Sequence, residues 1–344
     1  MSPDGRLLLG LLVALLATYA LTPLAIRAAS RWGFHDLPVG YKTHRRATPY
    51  LGGAAVMAGF LVAIAALGAA VDGSRTLVLA GSVLVLWVVG TIDDRRTVSP
   101  GLRVAVELLL AAGVWAAGLG WDSGTALVDL PLTMLWVVLV VNAFNLFDNM
   151  DGASGTLAFV VATSAGVLGL VEGNAWLAAG GGALAGACLG FLPYNLASPA
   201  RIFLGDGGSM PIGFAAAVLV MAGTSDALPA AQAVPVAVVL VGVALLDTAL
   251  VIVSRRRRGV SILTGGHDHL TYRVRSRLGT ARRVALVLGA AQAVLAALAI
   301  GATQGSSALI DVAAAVYLVV AVGVILRLES PGGPRASRAS AQSE

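Results

Sequence analysis

Charged residues along the chain fall into clusters, and the apolar stretches between the clusters are as long as membrane-spanning helices. The first stretch, residues 7–26, lies between Arg6 and Arg27 and contains no charge. A helix needs about 20 apolar residues to cross a bilayer. The same pattern predicts ten further spans, near 51–71, 76–92, 103–120, 130–147, 154–171, 175–193, 209–224, 232–253, 284–303 and 308–326. The sequence therefore predicts an all-α polytopic membrane protein with about eleven transmembrane helices.

Basic residues are divided unequally between the two sides that eleven spans would create. One side receives 21 of the 23 Lys and Arg residues, and the other receives only Arg6 and Arg75. Since loops rich in Lys and Arg stay in the cytoplasm, we expect an outward N-terminus and a cytoplasmic C-terminus. We expect one domain over residues 1–328 and a disordered tail over 329–344. The cytoplasmic loops would be 27–50, 93–103, 148–153, 194–208 and 254–283.

Composition supports the membrane interpretation and excludes several other classes. Of the 344 residues, 58% are hydrophobic and 12% are charged, whereas soluble domains carry about 25% charged residues. This apolar content also excludes disorder, and the single cysteine, Cys188, cannot form an intrachain disulfide. The net charge of +5 comes from loops beside spans, where basic runs anchor helices to anionic lipid. We therefore expect no nucleic-acid partner.

The first candidate functional motif is the adjacent pair Asp93-Asp94, at the inner end of the third predicted span. Neighbouring carboxylates repel each other, so they are tolerated where a cation or a proton lies between them. The alternative is a solvated loop in which the pair is neutralised by Arg95 and Arg96.

The second motif places polar residues every three positions at the end of the fifth predicted span. It contains Asn142, Asn145, Asp148 and Asp151, followed by Gly152. At helical spacing, two carboxamides and two carboxylates share one face. Polar groups at membrane depth are costly and usually mark a functional site, although helix packing is an alternative.

The third motif, F-L-G-D-G-G-S (203–209), places Asp206 between glycines just before a span. Glycines allow close backbone approach, and a helix N-terminus supplies free N–H groups for phosphate. An Asp at this position suits a metal that bridges protein and phosphate.

The fourth motif is G-G-H-D-H-L-T-Y-R (265–273), in a long basic loop. Two His residues around an Asp could bind a transition metal, but too few other His or Cys residues accompany them, so we favour a loop that grips phosphate. In the span before this loop, Asp247 must be paired or protonated, and we favour a structural role for it over direct catalysis.

Together the motifs predict five carboxylates at one membrane face, ringed by arginines. Hard oxygen ligands favour Mg²⁺, which uses one or two carboxylates plus substrate phosphates. The sequence therefore predicts a Mg²⁺ site for a polyanion, and its position at the membrane surface suggests a lipid as one substrate.

The motifs T-I-D-D (91–94), N-A-F-N-L-F-D-N-M-D-G (142–152) and F-L-G-D-G-G-S resemble, in content and order, those of the polyprenyl-phosphate N-acetylhexosamine-1-phosphate transferases. This is glycosyltransferase family 4, the superfamily that contains phospho-MurNAc-pentapeptide translocase. The likeness extends from Ala47-Thr48-Pro49 and Gly52-Gly53 to the basic loop. The chain most resembles the branch that transfers GlcNAc-1-phosphate to undecaprenyl or decaprenyl phosphate.

The resemblance implies an EC 2.7.8 enzyme in the bacterial inner membrane, with its site on the cytoplasmic face. The phosphate of polyprenyl phosphate would attack the β-phosphorus of a UDP-sugar, and UMP would leave. UDP-GlcNAc is the expected donor, another UDP-sugar is the alternative, and a covalent aspartyl intermediate is an alternative to direct attack. The product would begin a cell-envelope glycan such as lipopolysaccharide, teichoic acid or arabinogalactan. The resemblance further implies Mg²⁺, with Mn²⁺ as a substitute, and a homodimer.

The resemblance also implies roles for residues at matching positions. Asp93 would deprotonate or orient the lipid phosphate, with Asp94 beside it, and Asp148 would be a third catalytic carboxylate. Asp206 and Asn145 would hold Mg²⁺. The expected substrate-binding residues are Asp151 and Phe203 at the uracil, together with Asn142, Asn195, Arg46, His267, His269 and Arg273.

The chain departs from the family pattern in two loops. The Gly that usually follows the first Asp of the second motif is Asn149, and one extra residue separates Asn195 from Asp206. In the basic loop, Thr271 and Tyr272 stand where the family has later members of a triple-His cluster. This change speaks against the phospho-MurNAc-pentapeptide branch and leaves the other basic side chains of the loop to grip the diphosphate.

An ion-coupled secondary transporter is the alternative from another class, because it too would have many spans and intramembrane acids. Transporters usually show inverted repeats and binding groups near the bilayer midplane. Here nearly all the acids lie at one face, and we find no repeat.

Overall fold

The computed structural model describes residues 1–36 and 47–330, which form thirteen α-helices and one two-stranded sheet. Arg46 and the tail from residue 331 lie outside the described residues. In chain order the elements are α1 (Pro3–Trp32), β1 (His35–Asp36), β2 (Thr48–Pro49), α2 (Gly52–Leu67), α3 (Gly73–Arg95), α4 (Pro100–Ala116), α5 (Ala126–Phe147), α6 (Ala153–Val171), α7 (Ala175–Asn195), α8 (Asp206–Ala227), α9 (Ala230–Leu240), α10 (Gly242–Arg257), α11 (Leu270–Leu278), α12 (Ala281–Thr303) and α13 (Ser307–Leu328).

Several helices begin at side chains that satisfy the free N–H groups of the first turn. Ser2 accepts a hydrogen bond from the N–H of Gly5 and is followed by a proline. Ser99 accepts from the N–H of Leu102 and is followed by Pro100. This combination of a Ser cap and a Pro in the first turn is favourable because the proline has no N–H to leave unpaired.

Eight helices among the described residues are long and apolar enough to cross a membrane. The bent pair α9 and α10 gives a ninth span if its two parts are counted together. The chain is therefore an all-helical polytopic membrane protein. The predicted count of eleven is higher because it includes α2 and α4, which have 16 and 17 residues, fewer than the roughly 20 that cross a bilayer. Both helices lie where spans were predicted, so the eleven-span topology stays a prediction.

The predicted span 232–253 is not one continuous helix, which corrects the sequence interpretation. It is broken at Val241 into α9 and α10, whose axes differ by 77°. The amide of Gln292 from α12 lies inside this break, where it accepts from Val243 N–H and donates to the carbonyls of Val239 and Leu240. A polar side chain inserted into the helical hydrogen-bond ladder is a known cause of such kinks.

Helices α7 and α8 form the centre of the bundle. The most apolar part of α8 is wholly buried and that of α7 almost wholly, whereas α13 is mostly exposed along its length. α8 packs against α3 and α5, and α7 packs against α1 and α6. The exposed apolar side chains of α1, α12 and α13 face outward, as expected for helices in contact with lipid.

Small residues bring α1 and α7 into close contact. Gly182, Gly186 and Gly190 recur every four positions on α7, and a Cβ atom at each would lie 2.2, 2.1 and 2.4 Å from a backbone oxygen of α1. Larger residues would push the helices apart. Such small-residue stripes are how helices associate closely in lipid, where no hydrophobic effect drives them together.

The bundle has two polar ends. At one end, Arg75 pairs with Asp226 at 2.9 Å, and the side-chain amide of Asn174 donates to the same carboxylate. At the other end, the short sheet pairs His35 with Pro49, and the predicted functional motifs come together. The basic loop at this second end contains α11, a helix that the sequence analysis did not predict.

Candidate active site

The three acidic motifs meet where α3 ends, α5 ends and α8 begins. Asp94 lies at the last turn of α3 and accepts hydrogen bonds from the backbone N–H groups of Asp206, at 2.8 Å, and Gly207, at 3.0 Å. These are free amides of the first turn of α8, so the carboxylate of one motif caps the helix that begins in another. Tyr50 completes the junction, since its hydroxyl donates to the backbone oxygen of Asp94.

Glycines make this junction possible. Gly205 has a φ of 75°, and a Cβ there would lie 2.6 Å from an oxygen of Asp94. On the opposite side, a Cβ at Gly90 would lie 2.3 Å from the backbone oxygen of Asp206. The start of α8 therefore reaches the end of α3 only because both positions lack a side chain.

Arg103 supplies the positive charge between two of the carboxylates. Its Nη1 lies 2.6 Å from Asp93 Oδ2 and 3.4 Å from Asp206 Oδ2. The other oxygen of Asp93 accepts from Val98 N–H at 2.6 Å. Arg103 thus contacts two acids from different motifs and offsets part of their mutual repulsion. Arg103 was not among the predicted site residues, although its position soon after the Asp pair, in the turn that follows Pro100, is the signal that could have identified it.

The two asparagines of the second motif have different partners. Asn145 donates its side-chain amide to Asp206 Oδ1 at 2.9 Å and to Ser209 Oγ at 3.1 Å, so it orients the acid of the third motif. Asn142 instead donates to Glu107 at 2.7 Å. Glu107 is buried and, like Arg103, was not among the predicted site residues. An acid within an otherwise apolar helix is the feature of the sequence that could have identified it.

Asp148 lies directly after α5, beside the same cluster. Burial raises the pKa of its carboxyl well above the ordinary value, and the charges of Asp206 and Asp94 raise it further. Asp148 therefore retains a proton at pH values where an exposed Asp is ionised. Asp151 follows one turn later, and its charge also raises the pKa of Asp148.

Asn195 ties the second motif to the third. Its Oδ1 accepts from Gly152 N–H at 2.7 Å, and its Nδ2 donates to the backbone oxygen of Ile202 at 3.0 Å. The neighbouring Phe203 is half-buried, and its N–H donates to the backbone oxygen of Pro49 at 2.7 Å. The backbone of 202–204 is thereby held against both the sheet and the second motif, which places the predicted uracil-binding residues Asp151 and Phe203 at the same end of the bundle.

The basic loop is held by buried ion pairs. Arg255 Nε lies 2.9 Å from Asp268 Oδ2, and both side chains are buried. Burial alone would raise the pKa of Asp268, but the hydrogen bonds and charge of Arg255 outweigh this and hold it below its ordinary value. His269 lies 2.8 Å from Asp247 Oδ2, and the N–H of Leu270 donates to Asp247 Oδ1. Asp247 was expected to reach Arg residues of the following loop, but the structure pairs it with His269 and with the N–H of Leu270.

The remaining residues of the loop contact the end of α13 and the second motif. Arg273 is buried, pairs with Glu329 and donates to the backbone oxygen of Leu328 at 2.7 Å. The rings of His267 and Tyr272 are 4.5 Å apart. Thr271 and Tyr272 donate to Asn149 at 2.5 and 3.0 Å. The predicted contacts of His267, His269 and Arg273 with a diphosphate stay predictions.

The donor set suits Mg²⁺ held jointly with a phosphate. Within residues 1–36 and 47–330, no group of three or more His, Cys, Asp or Glu side chains could hold a metal ion. Mg²⁺ needs only one or two carboxylates when water and substrate phosphates supply the other ligands. Asp206, oriented by Asn145, is such a carboxylate.

Comparison with known proteins gives a consistent result. Residues 76–224 match glycosyl transferase family 4. A decaprenyl-phosphate N-acetylglucosaminephosphotransferase of Mycobacterium tuberculosis is 31% identical over 323 residues, covering 82% of this chain and 78% of that protein. A probable undecaprenyl-phosphate N-acetylglucosaminyl 1-phosphate transferase of Bacillus subtilis is 27% identical over 293 residues, covering 82% and 81%. A phospho-N-acetylmuramoyl-pentapeptide-transferase of Mycolicibacterium paratuberculosis is 34% identical over 268 residues, covering 60% and 74%.

Proposed function

Because this chain belongs to glycosyl transferase family 4 and is a UDP-sugar:polyprenyl-phosphate sugar-1-phosphate transferase, we propose that the sugar it transfers is GlcNAc-1-phosphate. The names of the Mycobacterium tuberculosis and Bacillus subtilis relatives, each covering about four-fifths of the chain, support this donor. The product would be a polyprenyl-diphospho-GlcNAc that begins a cell-envelope glycan. None of the relatives cited is named as a transporter.

The observation that carries the proposed chemistry is the meeting of Asp93, Asp94 and Asp206 at the N-terminus of α8. In the proposed reaction, an oxygen of the lipid phosphate forms a bond with the β-phosphorus of UDP-GlcNAc. The bond from that phosphorus to the bridging oxygen breaks, and UMP leaves with the electron pair. Phosphoryl transfer depends on positioning and charge neutralisation more than on covalent chemistry with the protein.

The proposed roles of the side chains follow from their surroundings. Asp93, held by Arg103 at 2.6 Å, would orient or deprotonate the lipid phosphate. Asp94 would keep the start of α8 in place through its two amide contacts. Asp206, with Asn145, would hold Mg²⁺; the family generally depends on this ion, which supplies charge neutralisation at the diphosphate. Asp148 would be a third catalytic acid, beside Asp206 and Asp94.

The proposed membrane orientation places this site in the cytoplasm. The support is the division of the basic residues, 21 of 23 on the side of the motifs, since Lys and Arg mark cytoplasmic loops. A UDP-sugar made in the cytoplasm would then reach the site directly. The homodimer stays a prediction; light scattering of the purified protein in detergent would measure its mass.

UMP release by the purified protein tests the function. The assay contains polyprenyl phosphate, Mg²⁺ and one donor at a time: UDP-GlcNAc, UDP-GalNAc or UDP-MurNAc-pentapeptide. We expect UMP with UDP-GlcNAc. Asp94→Asn should lower UMP release at least about tenfold, because it weakens the contacts that hold the start of α8, and a hydrogen bond to a charged group contributes about 1.5–3 kcal/mol. Asp226→Asn, an acid at the other end of the bundle, is the matched control and should retain activity. UMP from another donor alone would overturn the GlcNAc assignment.

A further inference from the structure

We propose that Asn149, Thr271 and Tyr272 form a latch that holds α11 against residues 148–152, and that this latch positions the carboxylates of that turn for the UDP-sugar. The inference deepens the proposed function and rests on it, because the turn carries the candidate donor-binding acids. The three latch residues are positioning residues: each acts through the turn and not through contact with the reacting atoms.

Asn149 is held by three hydrogen bonds from different directions. Its Nδ2 donates to the backbone oxygen of Leu146 at 2.7 Å, which directs Oδ1 toward Thr271. The Thr271 hydroxyl donates to Oδ1 at 2.5 Å, and the Tyr272 hydroxyl donates to the backbone oxygen of Asn149 at 3.0 Å. Since one residue accepts from two consecutive residues of α11, its side chain and its backbone are both fixed by the basic loop.

The turn is then fixed at two points. Residue 149 is held by α11, and residue 152 is held by Asn195, which accepts from the N–H of Gly152 at 2.7 Å. Asp148 precedes the first point, and Asp151 lies between the two. Releasing the contact at 149 would remove one of these two points, next to Asp148 and two residues before Asp151.

A latch can position the turn only if its other side is itself fixed, and α11 meets this condition. Its N-terminus is held by Asp247, buried in α10, which accepts from Leu270 N–H and contacts His269. Its middle is held by Arg273, which donates to the backbone oxygen of Leu328 at the end of α13. The latch therefore connects the acidic turn to two helices far from it in sequence.

Both kinds of acceptor that Asn149 offers are used by α11. A glycine at 149 would offer Thr271 no side-chain oxygen, whereas the amide oxygen of Asn149 accepts from the Thr271 hydroxyl and its backbone oxygen accepts from the Tyr272 hydroxyl. The latch thus joins two segments that lie 122 residues apart at the Thr271 contact.

Two variants remove one hydroxyl each and change the shape of the side chain little: Thr271→Val and Tyr272→Phe. Each should raise the KM for the UDP-sugar about tenfold, equivalent to about 1.4 kcal/mol, and leave the KM for polyprenyl phosphate unchanged. Thr271→Ser keeps the hydroxyl and should restore the donor KM to within about twofold of the wild-type value, a difference of about 0.4 kcal/mol. The matched control is Thr163→Val, whose hydroxyl donates to Phe159 in its own helix; its donor KM should equal that of the wild type.

A double-mutant cycle separates the latch from general damage. If Thr271 acts through Asn149, the double variant Thr271→Val, Asn149→Ala should raise the KM for the UDP-sugar no more than Asn149→Ala alone, because the contact is already lost. The proposal would be overturned if the increases in KM of the two single variants multiply in the double variant. An unchanged donor KM in both hydroxyl variants would overturn it as well.

Hydrogen–deuterium exchange without substrate tests the latch apart from the reaction. Thr271→Val should raise amide exchange in residues 148–152 and in α11, with no change in α1. If the wild type releases UMP only with another donor, the GlcNAc proposal fails and the same variants are measured with that donor. If UDP-GlcNAc is the donor but exchange is unchanged, the latch is overturned and the proposed function stands.

Discussion

Replacing Gln292 by Met removes the polar group that fills the break between α9 and α10. Val243 N–H and the carbonyl of Val239 are four residues apart, so they would bond to each other in a continuous helix. In the structure the amide of Gln292 stands between them, accepting from Val243 at 2.9 Å and donating to Val239 at 3.2 Å and Leu240 at 2.9 Å. Met keeps the length of the side chain and loses all three bonds.

The expected decrease in the free energy of unfolding follows from the number of hydrogen bonds lost. A hydrogen bond between a side chain and its partner within a membrane protein contributes about 0.6 kcal/mol on average and at most about 1.7 kcal/mol, so three bonds correspond to roughly 2 kcal/mol. Gln292 is completely buried, so water cannot easily replace it, and backbone groups left unpaired in an apolar interior add to the cost. If the helix straightened, the N–H of Val243 would bond to the carbonyl of Val239, and the variant would lose less stability.

Thermal unfolding in detergent, followed by tryptophan fluorescence, measures this effect. At about 2 °C per kcal/mol for a large chain, Gln292→Met should lower Tm by about 4 °C or more. Gln304→Met is the matched control: it makes the same substitution at the exposed end of the same helix, where the amide contacts Glu172 at 3.5 Å, and should change Tm by less than about 1 °C. Equal Tm values for the two variants would show that the amide does not hold the break.

Three further predictions concern the active site and the basic loop. Gly205→Ala should lower UMP release at least about tenfold. The backbone of Gly205 lies in a region that only glycine adopts readily, at a cost of about 1–3 kcal/mol for other residues, and the new Cβ would lie 2.6 Å from the Asp94 carboxylate. Full activity would contradict the close junction. Asp268→Asn should cost about 3–5 kcal/mol of stability, since it leaves Arg255 buried without its charge partner. The pKa of Asp268 is lowered in the folded state, so the stability it confers is present above about pH 4 and is lost as the pH falls through the lowered value. Melting curves between about pH 3 and about pH 7 should therefore show a larger acid-induced loss of stability in the wild type than in the variant. EDTA should abolish UMP release, with Mg²⁺ restoring it and Mn²⁺ substituting; an undiminished rate in EDTA would exclude the metal.

The positions of the helices could be predicted from the sequence because charge and hydropathy are local properties. Each predicted span coincides with a helix or, for 232–253, with a broken pair. The break itself could not be predicted, because its cause lies 49 residues beyond Val243, in Gln292. Helix α11 was missed because it has only nine residues. Its apolar side chains, Leu270, Val274 and Leu278, pack against the core, and its polar contacts with Asp247 and Leu328 come from helices distant in sequence.

In the candidate site, too, local features of the sequence could be predicted and long-range contacts could not. The acids of the three motifs could be identified because carboxylates beside apolar spans are costly, and they do lie at one end of the bundle. Their partners could not be identified from local pattern: Asp94 caps an amide 112 residues later, and Arg103 bridges acids from two motifs. The predictions therefore named acids that the structure brings together and omitted Arg103, which contacts two of them.

A polar group within an apolar span indicates only that a partner is required, and the partner decides whether the group serves structure or function. Gln292 and Asn195 both use their amides on backbone groups, and each holds chain segments together. Asp206 differs, since its carboxylate contacts side chains, those of Asn145 in the second motif and Arg103 in α4, which can rearrange around a ligand. Rigid backbone contacts thus surround a smaller set of adjustable polar side chains. This arrangement is what a site needs if it must admit a charged nucleotide and a lipid phosphate and still exclude lipid from its walls.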